Sequence, residues 1–214
     1  MNISRLPSSV ALVLGAASVA MTLTACGSDE EAPATTTSSA LEATTSPSPS
    51  QTAPATTEAA AMSCPTAAPA ADAAPEWTLP GTTGNVAVTG STEEAAPLIT
   101  VEAPFSVTET QVQTLQPGNG PVVSDTATVL VCYMGVNGRD GSVFDSSYER
   151  GAPVDFPLDG VVPGFQKAIA GQNVGSTVAV AMVPADGYPE GQPAAGIEPG
   201  DSLVFAIKIL DAAN

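Results

Sequence analysis

The chain has 214 residues, 22 acidic against 5 basic side chains, a formal net charge of −17 and no histidine. So few cations cannot neutralise a run of phosphates, which argues against nucleic-acid binding and against electrostatic docking on anionic lipid. Without imidazole a metal site needs clustered carboxylates or thiolates, and none stands at ligand spacing, so neither metal nor cofactor is expected.

Residues 1–25 read as an export signal. Arg5 is followed by "VALVLGAASVAMTL", an apolar stretch too short and too rich in small residues for a transmembrane span. "LTAC", residues 23–26, resembles the bacterial lipobox, whose cysteine is lipidated and becomes the first residue of the mature protein. The acidic "GSDEE" behind Cys26 fits that reading; the alternative is an ordinary cleaved signal with a chance cysteine. A diacylated Cys26 anchors a chain stably and puts it on the extracytoplasmic face of the cell membrane, with the lipid as its only membrane contact. Residues 26–76 are Ala, Thr, Ser and Pro with scattered acids. They hold too little apolar surface to repay ordering, so a disordered tether is expected. Some fifty flexible residues have an end-to-end distance of about 40 Å. The same composition permits O-glycosylation.

Residues 77–106 differ. "GNVAVTG" and "APLITVEAPF" group β-branched residues between Gly and Pro breaks, which predicts one or two short lead-in strands packing on the domain C-terminal to them. Trp77, the only tryptophan, favours packing over continued linker. Residues 107–214 read as one small domain. "VTETQVQTL", "DTATVLVCYMG", "GSVFDSS", "VDFPL", "STVAVAMVP" and "SLVFAIKILDA" are its strand runs. Only "FQKAIA" reads as a helix, with Phe165, Ala168 and Ile169 on one face and a stop at Gly171. The expectation is an α+β fold: a five- to six-stranded, mainly antiparallel sheet wrapped around one short helix.

Between residues 107 and 212 the elements "VLVCYMG", "DGSVFDSS", "VVPGF", "GQNVGS" and "DSLVFAIKIL" resemble, in order and spacing, the FKBP-type peptidyl-prolyl cis–trans isomerases. With the lipobox, the chain looks like an exported member of that family. The resemblance implies a catalyst without a nucleophile or base, which turns a prolyl amide in a dry aromatic pocket. It places Tyr133, Asp145, Phe165, Tyr188 and Phe205 as catalytic residues and Phe144, Val154, Val161, Val162 and Ile197 around the substrate. Phe165 forms the floor, Val162 offers its backbone N–H, and Tyr188 offers its hydroxyl near the amide. Asp145 has two readings, a pocket wall held by Tyr133 and Arg150, or a structural residue, in an Asx turn or as a partner of Arg150. Phe156 is assigned to the core.

The family usually has tryptophan where Phe165 stands, an aromatic where Val154 stands, and glycine where Pro189 stands, and the loop around Tyr188 is a residue short. These changes widen the pocket and leave weak macrolide binding as the expectation. The implied partners are proline-containing exported polypeptides, met by a monomer. The alternative is an FKBP-fold binding or chaperone module with little turnover. Two cysteines remain. Strand alternation puts Cys132 opposite Tyr133, off the pocket, and Cys64 lies on a flexible segment long enough to reach it. Either they bridge or both stay free.

Overall fold

The computed structural model of the chain describes residues 63–213. The export signal, the lipidation candidate Cys26 and the tether as far as residue 62 lie outside these residues. Two antiparallel sheets and a short helix stack in layers. The first sheet is β1 (Trp77–Pro80), β2 (Thr83–Thr89) and β3 (Leu98–Ser106), side by side in that order. The second holds β4 (Gln111–Gln116), β5 (Thr128–Asn137), β6 (Val143–Ser146), β7 (Val154–Pro157), β8 (Thr177–Met182) and β9 (Leu203–Ala213). Its order is β4-β8-β9-β5, and the outer edge of β5 takes β7 along one half and β6 along the other. This is the α+β architecture that strand alternation and the single amphipathic helix predict.

That helix, α2 (Pro163–Ile169), begins with Pro163, whose missing N–H is no loss in a first turn. Gly171 then takes the chain away at φ 80°, a conformation that side chains resist. Phe165, Ala168 and Ile169 are buried against β5, β8 and β9, among Val131, Val178, Val180 and Ile207. The other face of the same sheet is covered too. Ala179, Ala181, Val204 and Ala206 meet Leu79, Val86, Val88, Ile99 and Phe105 of the first sheet. All six residues of β8 are therefore buried, which explains its unbroken apolar run.

Three features differ from the sequence expectation. The lead-in is a three-stranded sheet, not one or two strands. A single helical turn, α1 (Ser147–Arg150), follows β6, with the Ser146 side chain accepting the Glu149 N–H. The Ser-x-x-Glu spacing at 146–149 has the pattern of a capping box. The third concerns the end of the tether. Residues 63–76 pack on the domain. Cys64 and Cys132 form a disulfide with Cα atoms 5.7 Å apart, and both are buried. Ala96 N–H donates to Ala67 O (2.8 Å) and Glu76 N–H to Val88 O (2.9 Å). Backbone bonds and a covalent link order a segment whose side chains alone bury too little. Among the described residues no helix is long and apolar enough to cross a membrane.

Candidate active site

The elements around α2 bring aromatic side chains to one mouth. β5 contributes Tyr133, β6 Phe144 and Asp145, β7 Phe156, and β9 Phe205. The turn before α2 contributes Val161 and Val162, α2 contributes Phe165, and the loop after β8 contributes Tyr188. With Gly160 these residues line a cleft of about 360 Å³. Phe165 is 5% exposed and forms its base. The Phe165 ring meets Phe205 at 5.5 Å, Tyr133 at 5.8 Å and Phe156 at 5.8 Å, each close to perpendicular. Phe144 stands edge-on to Phe205 at 5.4 Å. Each such pair contributes about 0.5–1.5 kcal/mol beyond its buried area, so the lining is held in shape before a ligand arrives.

Gly135 makes this packing possible. It lies opposite both Asp145 and Phe205 in the sheet. A Cβ there would stand 2.6 Å from Phe144 Cζ and 2.7 Å from Phe205 Cε1. The Tyr-x-Gly of β5 thus puts a phenol and an empty space on the same face, and two rings fill the space.

Asp145 is on the wall and is fully partnered. The Tyr133 hydroxyl donates to its Oδ2, and Arg150 Nη1 lies 2.6 Å from Oδ1. Arg150 Nη2 also donates to the Tyr133 oxygen at 3.3 Å. Burial pushes the Asp145 carboxyl up, but the bonds from Tyr133 and Arg150 outweigh it and hold it below the ordinary range. Burial, then the bond to Asp145, raise Tyr133 to about 12 against the opposing Arg150. Both readings of Asp145 meet here: it lines the pocket and pairs with Arg150. The local cap is Ser146 rather than Asp145.

The Val162 N–H and the Tyr188 hydroxyl make no hydrogen bond to another of the described residues. Both belong to lining residues. Of the ten expected site residues, eight line the cleft. Val154 does not; it is half-buried against the core cluster. Ile197 does not; it is 2% exposed within the same cluster. Phe156, assigned to the core from sequence, lines the cleft instead. Val154 and Phe156 share a face of β7, two residues apart, and the longer side chain reaches the Tyr133 and Phe165 rings. That shared face is visible in "VDF"; which residue reaches is not. Gly160 has no side chain and leaves no signal.

Cys132 faces away from the cleft, in a cluster with Cys64, Ala96 and Tyr148. Among the described residues no group of three metal-ligating side chains converges.

A family model described as FKBP-type peptidyl-prolyl cis-trans isomerase matches residues 120–210. The probable FK506-binding protein of Corynebacterium glutamicum is 37% identical over 98 residues, which are 44% of this chain and 80% of that protein. The FKBP-type peptidyl-prolyl cis-trans isomerase FkpA of Escherichia coli K12 is 38% identical over 100 residues, 46% of this chain and 36% of that one. The crystal structure of FkpA from Escherichia coli superposes with a TM-score of 0.44 at 36% identity, over 48% of this chain and 47% of that one. Measured against FkpA and the FKBP-type 22 kDa isomerase of Escherichia coli, the chain spans between 36% and 48% of the relative's length. The family match covers the strands and helix that build the cleft, and the Corynebacterium relative is matched over most of its length. The chain belongs to the FKBP-type peptidyl-prolyl cis–trans isomerase family.

Proposed function

We propose that this protein is a peptidyl-prolyl cis–trans isomerase that acts on proline-containing exported polypeptides. In this reading a lipidated Cys26 anchors it to the extracytoplasmic face of the membrane, and the residues up to 62 are its tether.

The observation that carries the catalytic part is the cleft: six aromatic rings and one carboxylate already bound by Tyr133 and Arg150. Rotation about a prolyl bond crosses about 18–20 kcal/mol and breaks no covalent bond. The chemistry needs surroundings that prefer the twisted amide to the planar one. Twisting removes amide resonance and lowers the carbonyl dipole, so an apolar, water-poor wall favours the twisted form. The proline ring rests on Phe165 with Tyr133, Phe156 and Phe205 around it. The Val162 N–H binds a substrate carbonyl and fixes the peptide. The Tyr188 hydroxyl stands at the mouth, where it donates to the amide as that group turns. Asp145 holds the Tyr133 ring in place.

The test is cis–trans exchange of an Ala-Leu-Pro-Phe type peptide, followed by magnetisation transfer with the full chain. Exchange above the uncatalysed rate, lost in Phe165→Ala, is the expected result. A folded chain that binds the peptide without accelerating exchange would make it a binding module. For the anchor, Cys26→Ala should abolish palmitate labelling and release the protein from membranes; labelling that survives the change refutes the assignment.

A further inference from the structure

The loop that carries Tyr188 is fastened two residues upstream of it. After β8 the chain makes a 3-10 turn over Pro184–Asp186, with Asp186 N–H donating to Val183 O at 3.0 Å and Gly187 N–H to Pro184 O at 3.1 Å. The Asp186 side chain is 18% exposed and points back to the domain. Its Oδ2 accepts from Thr110 Oγ1 at 2.5 Å and from Lys167 Nζ at 2.7 Å. Thr110 precedes β4 and itself accepts the Val183 N–H at 3.3 Å. Lys167 is on α2, two residues beyond Phe165. One carboxylate therefore joins three pieces: the strand edge, the helix that carries the pocket base, and the start of the Tyr188 loop.

The connection from Asp186 to Tyr188 is short and packed. Gly187, between them, is buried, and a Cβ on it would lie 3.3 Å from Met182 Sδ and 3.4 Å from Leu203 Cδ1. The bonds from Lys167 and Thr110 hold the Asp186 carboxyl below its ordinary range, so it is a full negative charge at neutral pH. The Tyr188 hydroxyl, in contrast, makes no hydrogen bond to another of the described residues. Its ring packs on the main core cluster, and the backbone that brings it there leaves the turn that Asp186 secures.

We propose that Asp186 is a positioning residue that fixes where the Tyr188 hydroxyl stands over the pocket, with Lys167 and Thr110 as its holders. The catalytic consequence rests on the isomerase reading above; the positioning itself does not. The experiment therefore has two arms. The chain has three tyrosines, so the full chain labelled with 3-fluorotyrosine yields three fluorine resonances, and Tyr188→Phe identifies the one from the loop. Asp186→Ala should shift or broaden that resonance and leave those of Tyr133 and Tyr148 in place. In the second arm kcat/KM for prolyl exchange is measured in a double-mutant cycle. Asp186→Ala should cost about five-fold in the native background and less than about 1.5-fold once Tyr188 is Phe, because an interaction routed through one hydroxyl disappears with it. A loss from general destabilisation would be equal in both backgrounds and would overturn the proposal, as would an unmoved Tyr188 resonance in folded protein. If Asp186→Ala does not fold, Lys167→Met removes the ion pair from a half-exposed lysine and is read the same way, with a smaller effect of the same pattern. If the native chain shows no exchange, the isomerase reading fails and the fluorine arm still decides the positioning claim.

Discussion

Phe165 is met edge-on by three rings, so its truncation removes both the base of the cleft and the shape of its walls. Phe165→Ala should cost about 3–5 kcal/mol of stability, the range for a buried Phe reduced to Ala. It should lower kcat/KM at least about ten-fold, equivalent to about 1.4 kcal/mol in the barrier. Phe165→Leu, which refills part of the space, should recover stability more than activity; urea melts and exchange rates on both variants check this. Gly135→Ala offers a second probe, because its methyl group displaces the Phe144 and Phe205 rings. An overpacking cost of about 1–3 kcal/mol is expected, with a loss of peptide affinity measurable by titration calorimetry. The titrating groups give a pH prediction. Tyr133 and Tyr148 are both raised to about 12, in each case chiefly by burial. A phenol raised on folding stabilises fully below its unfolded value near 10 and loses that contribution as pH rises through the folded value. Asp145 is depressed, so its contribution is present above the unfolded carboxylate value and lost as pH falls through the lower folded one. The melting temperature should fall as pH rises from about 10 towards 12, and Tyr133→Phe should flatten part of that fall. An unchanged alkaline limb in Tyr133→Phe would contradict the assignment.

At the scale of elements, β8 and β9 serve two cores at once. Val178, Val180, Met182, Phe205, Ile207 and Ile209 face α2 and the cleft, while Ala179, Ala181, Val204 and Ala206 face the first sheet. The lead-in sheet is thereby part of the domain's folding unit. Phe105, 2% exposed, anchors it, and its N–H donates to Gly138 O at 2.7 Å. Phe105→Ala should destabilise the whole domain by about 3–5 kcal/mol. Trp77 lies in β1, so its fluorescence reports the lead-in alone. Its urea transition should coincide with that of far-ultraviolet circular dichroism; two separated transitions would show an independent lead-in. The long strands are readable in the sequence because their alternation has period two over six or more residues. α2 is readable because Pro163 and Gly171 mark its ends. β1 is not: it is four residues long and ends in Pro80, so its alternation is too short to detect. α1 escapes a reading by periodicity although Ser146 and Glu149 stand at capping distance, because a single turn carries no helical repeat.

At the scale of the whole molecule, the disulfide closes a span of 68 residues from Cys64 to Cys132. A cross-link over such a span stabilises by about 4 kcal/mol in the chain-entropy account. Reduction should lower stability by up to that amount and leave most isomerase activity, because Cys132 faces away from Tyr133. A chain truncated to residues 77–214 loses the bridge together with the backbone bonds of residues 63–76 and should be no more stable in denaturant than the reduced protein. The pairing is beyond the sequence because spacing along a chain holds no distance in space, and Ala/Pro-rich composition points to disorder up to residue 76. The cleft is legible at eight of ten positions because strand parity and the family's motifs place whole faces. It is not legible where the outcome depends on reach, as with Val154 and Phe156, or on burial depth, as with Ile197. The central claim is that this cleft turns a prolyl amide without moving a proton. The most direct measurement is kcat/KM of the full chain on an uncharged Ala-Leu-Pro-Phe type peptide across the near-neutral range. With no histidine in the chain and Asp145 held ionised, the account predicts exchange above background and a flat profile throughout. Exchange no faster than the uncatalysed rate, or a limb centred within that range in folded protein, would contradict it.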